Sequence, residues 1–307
     1  MTKLEFFKTG VEVGNALRQD RPVVALESTI IAFGLPWPEN LQTALECEAI
    51  AREEGAVPAT VGVARGVLKT GLDREELETF AQSEAVTKTN LSNLSAVCAH
   101  GFWGATSVST SLLGAALAGV SVFATGGIGG VHRDYARRLD ISSDLKALAE
   151  YDGIVVSAGV KSLLDVAATR EQLETLGITV LGWQTDCFAM FYTPASSCGV
   201  DMKVETPEQA AAIYRARKAL GQKGAVLVAA PIPEGDAMSP VEVESFNRAA
   251  EEDLSRHPEI TGRAITPYLL KRMEEISGGK TLRANLSLIR NNVRIASRIA
   301  VELARQV

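Results

Sequence analysis

Histidine and cysteine are scarce in this chain, and their spacing removes several functions. The three histidines, His100, His132 and His257, stand far apart. No H-E-x-x-H pair is present, so no zinc centre of that kind is expected. A metal here would have to rely on carboxylates and water, the preference of Mg²⁺ or Mn²⁺. The four cysteines, Cys47, Cys98, Cys187 and Cys198, are scattered and include no C-x-x-C. They read as reduced thiols of a cytosolic protein, not as a disulfide framework. Apolar runs never reach the 18 or so residues of a membrane span. The first twenty residues, MTKLEFFKTGVEVGNALRQD, lack the apolar core and cleavage site of a signal peptide, so a cytoplasmic location is expected. Basic residues do not predominate either. Lys and Arg number 31 against 37 Asp and Glu, a net charge of −6. That argues against a nucleic-acid binder, which needs a basic surface. It leaves room for a small anionic ligand, since a pocket can be locally positive.

What is present is an ordinary globular composition, 46% apolar and 22% charged over 307 residues. A chain of this size can bury a large core. Apolar β-branched runs alternate with amphipathic stretches. The runs predict strands over 23–32, 59–63, 108–111, 120–124, 154–158, 180–182 and 225–229. The stretches predict helices over 39–54, 74–81, 112–118, 143–151, 161–168, 170–176 and 207–220. This alternation predicts an α/β protein with a largely parallel mixed sheet covered by helices. The last third turns helical, over 240–257, 266–275 and 281–306. The last of these helices is long and strongly amphipathic, suited to a cap or an oligomer interface. No repeat or linker interrupts the chain, and residues 1–307 are read as one domain.

Several segments could carry chemistry. Glu27 falls in the apolar stretch VALESTIIAFGLP (24–36), where a carboxylate is costly unless paired or functional. It is either held by Ser28, Thr29 or a backbone amide, or used as a proton donor. The run ATGGIGGVHR (124–133) has four glycines in five positions after a strand. Such a turn can wrap an anion with its amides, with His132 or Arg133 supplying charge. Tight-turn geometry explains the glycines equally well, and the spacing is not that of a dinucleotide fingerprint. In DISSD (140–144), Asp140 and Asp144 would share a face if the segment is helical, close enough to share a cation. Ser142 and Ser143 would sit at that helix's N-terminus; simple capping is the alternative. Lys161, in IVVSAGVKSLLD (154–165), follows an apolar strand, where α/β proteins place ligands. A desolvated lysine there can attack a sugar aldehyde as an amine, unless Asp165 holds it charged or it is a surface lysine. Lys88, Asn285, Asn291–Asn292 and the hydroxyl-rich 107–110 are weaker candidates.

Together these segments resemble the pseudouridine-5′-phosphate glycosidase family, also called the indigoidine synthase A-like family. The resemblance rests on ALESTIIAFGLPWPEN (25–40), ATVGVARG (59–66), VFATGGIGGVHR (122–133), DISSDL (140–145), AGVKSLLD (158–165), ITPYLL (265–270) and SGGKTLRANLSLIRNN (277–292). It implies a three-layer α/β/α fold, a homotrimer, and reversible lyase-type cleavage of the C–C glycosidic bond of pseudouridine 5′-phosphate. The products would be uracil and ribose 5-phosphate, and the cofactor a divalent metal, typically Mn²⁺. Position by position, the resemblance makes Glu27 the proton donor, Lys161 the covalent lysine and Asp140 the metal ligand. It makes Lys88, Val108, Ser142, Ser143 and Asp144 substrate contacts and places Asn285 near the base; His132 joins them as a candidate contact.

A C–C glycosidic bond has no basic leaving oxygen, so the paired-carboxylate scheme of ordinary glycosidases fits poorly. An amine bonded to C1′ of the opened sugar would supply an electron sink beside the bond to be broken. Two segments depart from the family pattern: its Asn-Pro-Ile-Pro reads Ala230-Pro-Ile-Pro233, and 181–187 reads LGWQTDC where a tyrosine is expected. Both are expected to touch base or sugar selectivity. The competing readings are a Schiff-base lyase acting on another phosphosugar or C-nucleoside phosphate, and a non-catalytic sugar-phosphate-binding protein.

Overall fold

The computed structural model describes residues 3–133 and 135–305. Among these, eleven strands join one mixed sheet. Its spine runs in space Phe7–Thr9, Val67–Thr70, Val57–Ala64, Val23–Leu26, Val122–Ala124, Gly153–Ser157, Ala225–Ala229, Thr179–Trp183 and Met202–Val204. Short strands Gly104–Thr106 and Thr87–Thr89 extend it beside Val57–Ala64. Pairing is parallel except where Val57–Ala64 meets Val67–Thr70 and Gly104–Thr106. The central strands VVAL, VFA, GIVVS and AVLVA are buried at every residue. That is why they read as continuous apolar runs: a parallel sheet is covered on both faces. The helices Glu39–Glu53, Pro207–Ala219 and Lys280–Ala304 pack together on one face, and Val108–Ala118 and Ser143–Glu150 pack together on the other.

The sheet fixes where a ligand can enter. The crossover from Val23–Leu26 to Val57–Ala64 runs one way, and the crossover from Val122–Ala124 to Gly153–Ser157 runs the other. The crevice of such a sheet opens between the strands where the direction reverses, beyond their carboxyl ends. Glu27 and the glycine run follow the two strands bordering that point, and Lys161 follows the next strand, Gly153–Ser157.

Three expected elements differ. The strand expected over 23–32 ends at Leu26, and Ile30–Gly34 forms one turn of π-helix. Buried Ser28 turns the chain there: its hydroxyl accepts from the Thr106 amide at 2.9 Å, and its carbonyl accepts from the Ile31 and Ala32 amides. The strand expected over 108–111 is the first turn of the helix Val108–Ala118, with Ser107 at its N-cap. Its β-branched residues tolerate the helix because Ser111 and Thr110 place their hydroxyls on the Thr106 and Thr89 carbonyls. The helix expected over 161–168 begins only at Val166. Lys161 lies in a turn, and Leu164–Asp165 pairs with Val131–His132 as a two-stranded ribbon. Asp165 caps the helix Val166–Thr175 by accepting from the Ala168 amide at 2.9 Å.

The last helix, Lys280–Ala304, ends within the described residues; Gln306, where it was expected to stop, lies outside them. Leu288, Val293, Ala296 and Ile299 of this helix are fully or nearly fully buried. Its outer edge is laced to the Glu39–Glu53 helix and the residue beyond it by Arg290–Glu46 at 2.7 Å and Arg298–Glu54 at 2.9 Å. The apolar stripe that marks this helix in the sequence is therefore spent inside the chain. No helix among the described residues is long and apolar enough to cross a membrane.

Gly159 shows how tightly the strand ends are set. Its φ is +73°, and a Cβ there would lie 1.9 Å from the Ala189 carbonyl oxygen. Gly159→Ala combines left-handed strain with a backbone overlap and should cost at least ~2 kcal/mol. Urea denaturation of the variant checks this; an unchanged midpoint would show that the turn relaxes freely.

Candidate active site

A cavity of about 240 Å³ lies at the crevice, lined by residues from nine separated stretches of chain. It brings together Glu27, Lys88, His132, Asp140, Ser142, Ser143, Asp144, Lys161 and Asn285. Val108, Ser109, Thr110, Arg133, Asn291 and Asn292, also singled out from the sequence, are not on its wall; the Val108 side chain is buried in the first turn of its helix.

Glu27 is the first residue past its strand, half-buried at the cavity floor. Its two carboxylate oxygens accept separately from the hydroxyls of Thr29 and Thr125. Thr125 is fully buried, and its carbonyl accepts from Nδ2 of Asn292 at 2.8 Å. The last helix thus braces the strand end that holds Glu27.

Lys161 is fixed by its backbone. Its amide donates to the Ile128 carbonyl at 3.2 Å, and its carbonyl accepts from the Leu164 amide at 3.0 Å. Asp165 is not its partner, being engaged as a helix cap.

The glycine run is less open to an anion than its composition predicts. The amides of Ile128, Gly129 and Val131 are taken by the Gly159 carbonyl, Asp144 and Thr169. Glycine is required at 129 for close approach: a Cβ would sit 2.2 Å from the Ser142 hydroxyl. Arg133, the other expected anion partner, is bound to Glu244 at 2.9 Å.

Two helix N-termini border the cavity instead. The helices Val108–Ala118 and Ser143–Glu150 begin side by side, with Ser107 and Ser142 at their N-cap positions; the Ser142 hydroxyl accepts from the Asp144 amide. The Ser143 hydroxyl donates to that of Ser109 at 3.1 Å. Ser107, Ser142 and Ser143 line the cavity with Lys88. Paired helix dipoles and a lysine favour a phosphate-like group there.

Asp140 and Asp144 do not share a helix face, because the helix begins at Ser143. Asp144 is buried, and its two oxygens accept from the amides of Ser109 at 3.0 Å and Gly129 at 2.9 Å. Asp140 is the accessible carboxylate, with His132 Nε2 at 3.9 Å. No group of three His, Cys, Asp or Glu side chains suited to a metal occurs among the described residues. One carboxylate outside any such group suits a hard, largely hydrated cation rather than a caged metal.

Sequence reasoning missed the wall opposite these charges. Ile30 and Phe33 of the π-turn, Phe191, and Thr266, Pro267 and Leu270 of the helix Ile265–Ile276 line the cavity. The π-turn and that helix pack together. Segment 265–270 was already marked by the resemblance, but Phe191 and Thr125 carry no local signal. Neither departure from the family pattern reaches the cavity. Ala230 is buried and its amide donates to the Ser157 carbonyl at 2.8 Å, while no residue of 181–187 lines the wall.

The two aspartates should separate experimentally. Asp144→Asn sets an amide group against a backbone N–H and should cost ~1–3 kcal/mol. Asp140→Asn should leave stability unchanged. Parallel thermal melts check this; equal loss in both would remove the structural role given to Asp144.

The comparisons with known proteins agree with this geometry. A profile of the family described as indigoidine synthase A-like protein matches residues 12–302. A relative from Symbiobacterium thermophilum, named pseudouridine-5′-phosphate glycosidase, is 50% identical over 95% of this chain and 96% of its own. One of the same name from Hahella chejuensis is 46% identical over 94% and 95%. The crystal structure of a prealnumycin C-glycosynthase in complex with ribulose 5-phosphate superposes with a TM-score of 0.89 at 36% identity, covering 98% of this chain and 97% of that one. An indigoidine synthase A-like protein from Thermotoga maritima superposes with the same score at 34% identity, with coverage of 98% and 97%. With matches of this length in sequence and in structure, the chain belongs to the indigoidine synthase A-like family.

Proposed function

We propose that the chain reversibly cleaves the C–C glycosidic bond of pseudouridine 5′-phosphate, giving uracil and ribose 5-phosphate through an imine on Lys161. The convergence of Lys161, Glu27 and a paired helix-terminus anion site on one cavity carries this reading. The names of the half-identical relatives support the same substrate, and the neighbour's bound ribulose 5-phosphate supports a sugar phosphate.

The reaction balances with water as the second reactant. The C1′–oxygen bond of the ribose opens as the ring oxygen takes a proton, and the Lys161 amine bonds to C1′. The nitrogen lone pair then forms C=N while the C1′–C5 electron pair passes to uracil, which takes a proton at C5. Water hydrolyses the imine, freeing ribose 5-phosphate and restoring the amine. Glu27, held by two hydroxyls at the cavity floor, is the group that moves these protons. Lys88 and the serine-capped helix ends hold the phosphate. His132 lines the same wall as a substrate contact, and Asn285, beside Gly126, faces the base.

We assign Asp140 to a divalent cation, Mn²⁺ by the family resemblance, which when bound neutralises anionic oxygens of the substrate. From the same resemblance we assign a cytoplasmic homotrimer. A second reading, C–C bond formation between ribose phosphate and a different ring, is favoured by the structural neighbour's identity as a C-glycosynthase.

Uracil release from pseudouridine 5′-phosphate separates the two readings. Borohydride added with ribose 5-phosphate should fix the sugar to Lys161 and not to Lys88, as seen by peptide mapping. Lys161→Ala should lose both adduct and turnover. Glu27→Gln should slow cleavage by ~10²–10⁴-fold while still allowing the adduct. Normal turnover by Lys161→Ala, or an adduct elsewhere, would refute the covalent role.

Metal dependence is tested separately. Chelation with EDTA should abolish turnover and Mn²⁺ should restore it, with Asp140→Asn requiring far more metal. Full activity after thorough chelation would defeat the assignment.

A further inference from the structure

The helix Pro240–Leu254 contributes none of the residues that line the cavity. It nevertheless grips the residue next to Lys161. The carbonyl of fully buried Ser162 accepts from Nδ2 of Asn247 at 2.9 Å and from Nη2 of Arg133 at 3.4 Å. Asn247 is itself buried, at 2% exposure. Arg133 is in turn fixed by the same helix: Nη1 and Nη2 donate to the two oxygens of Glu244, at 3.1 and 2.9 Å. Glu251 lies 4.0 Å from Nη1. A bidentate arginine–carboxylate pair is directional as well as charged. Arg133 holds the Glu244 carboxyl below the usual carboxylate range, chiefly through this hydrogen bond, so the pair stays ionised at neutral pH.

The rest of the turn is held from other sides. The Lys161 amide is bound to Ile128, and Leu164 pairs with His132. Ser162 is the turn's outer corner, and without a donor there its carbonyl would be buried and unsatisfied. Rotation of the 162–163 peptide would be the cheapest relief, and it would loosen the turn that carries Lys161, whose own carbonyl is held by the Leu164 amide in the same turn. Asn247 lies 85 residues from Ser162 and Glu244 lies 111 from Arg133, so neither contact is needed to form a local turn.

We propose that Asn247 and the Arg133–Glu244 pair are positioning residues that set the Lys161 amine against C1′ of the substrate. This rests on the imine reading of Lys161. The unit acts through the Ser162 carbonyl, one residue beyond the nucleophile, and touches neither substrate nor metal. Its loss should slow the covalent step while leaving substrate binding in place, because the phosphate site stands on different helices. A shift of the order of 1 Å in a reacting group can cost ~10²-fold in rate.

The test compares wild type, Asn247→Leu and Glu244→Ala. Each is assayed for kcat and KM with pseudouridine 5′-phosphate, and for the rate of borohydride-trapped adduct with ribose 5-phosphate. Glu244 is 46% exposed, so its variant should fold even if the buried Asn247 variant does not. Both folded variants should lose kcat, by ~10- to 100-fold for Asn247→Leu and several-fold for Glu244→Ala, with KM within about twofold of wild type. Adduct formation should slow in the same proportion, and Glu244→Asp should recover part of the loss. If wild type traps the sugar on Lys161 and a folded Glu244→Ala traps it equally fast, the positioning role is wrong. A rise in KM with kcat preserved would overturn it as well. Failure of wild type to form any adduct would remove the imine reading and this inference with it.

Discussion

The site depends on one buried carboxylate. Asp144 accepts from the amide of Ser109 with one oxygen and from that of Gly129 with the other. It lies in the first turn of one helix, reaches the first turn of a second, and pins the glycine-rich turn between them. A carboxylate that receives two backbone N–H groups offsets its desolvation and gains strict geometry, since each oxygen is directed by its partner. The two helix starts and the glycine-rich turn are arranged around that clamp. The two helix ends face one another because Asp144 joins them. The turn passes close to Ser142 because position 129 carries no Cβ.

This arrangement reconciles an acidic protein with an anionic ligand. The net charge is −6, and the arginine nearest the glycine turn is neutralised by Glu244. What the cavity offers an anion instead is two helix N-termini and Lys88. Helix ends bring partial charges that need no long side chain to be immobilised, and they act over the first turn only. The positive field is therefore confined to one end of the cavity. Asp140 can then face the same space from another wall.

The sheet was legible from sequence because parallel strands must be apolar on both faces. GIVVS and AVLVA have no other stable reading, and their strands fall within about a residue of the expected limits. The polar residues that line the cavity were legible for a related reason, since polar side chains at the ends of such strands stand out. What failed was local structure at those same ends. The stretch 108–111 is β-branched but lies under a serine cap, and tertiary hydroxyl bonds decided for helix. Residues after Leu26 look like more strand, but Ser28 is bound by Thr106 from 78 positions away. Thr125 belongs to Glu27 across 98 positions, and no window of sequence contains both. Arg133 was misread for the same reason: its partner Glu244 lies on a helix that has no other business with the cavity.

The position of the two departures from the family pattern follows from the same geometry. Ala230 stands just after a central strand, with its amide on the Ser157 carbonyl, in the layer beneath the cavity rather than on its wall. A residue there can change how the strand end packs, but it cannot reach a ligand directly. The cavity's apolar wall is built from the π-turn after Glu27 and from the helix Ile265–Ile276. These two elements are close in space and distant in sequence, and both are peripheral to the sheet. Their side chains can change without disturbing Asp144, Glu27 or the Lys161 turn. Within this fold, then, the Lys161 turn and Asp144 are tied to the core by backbone hydrogen bonds. The apolar wall of the cavity is carried by separate elements. A C–C bond-cleaving enzyme and a C–C bond-forming one can therefore share this framework at 36% identity over nearly their whole length.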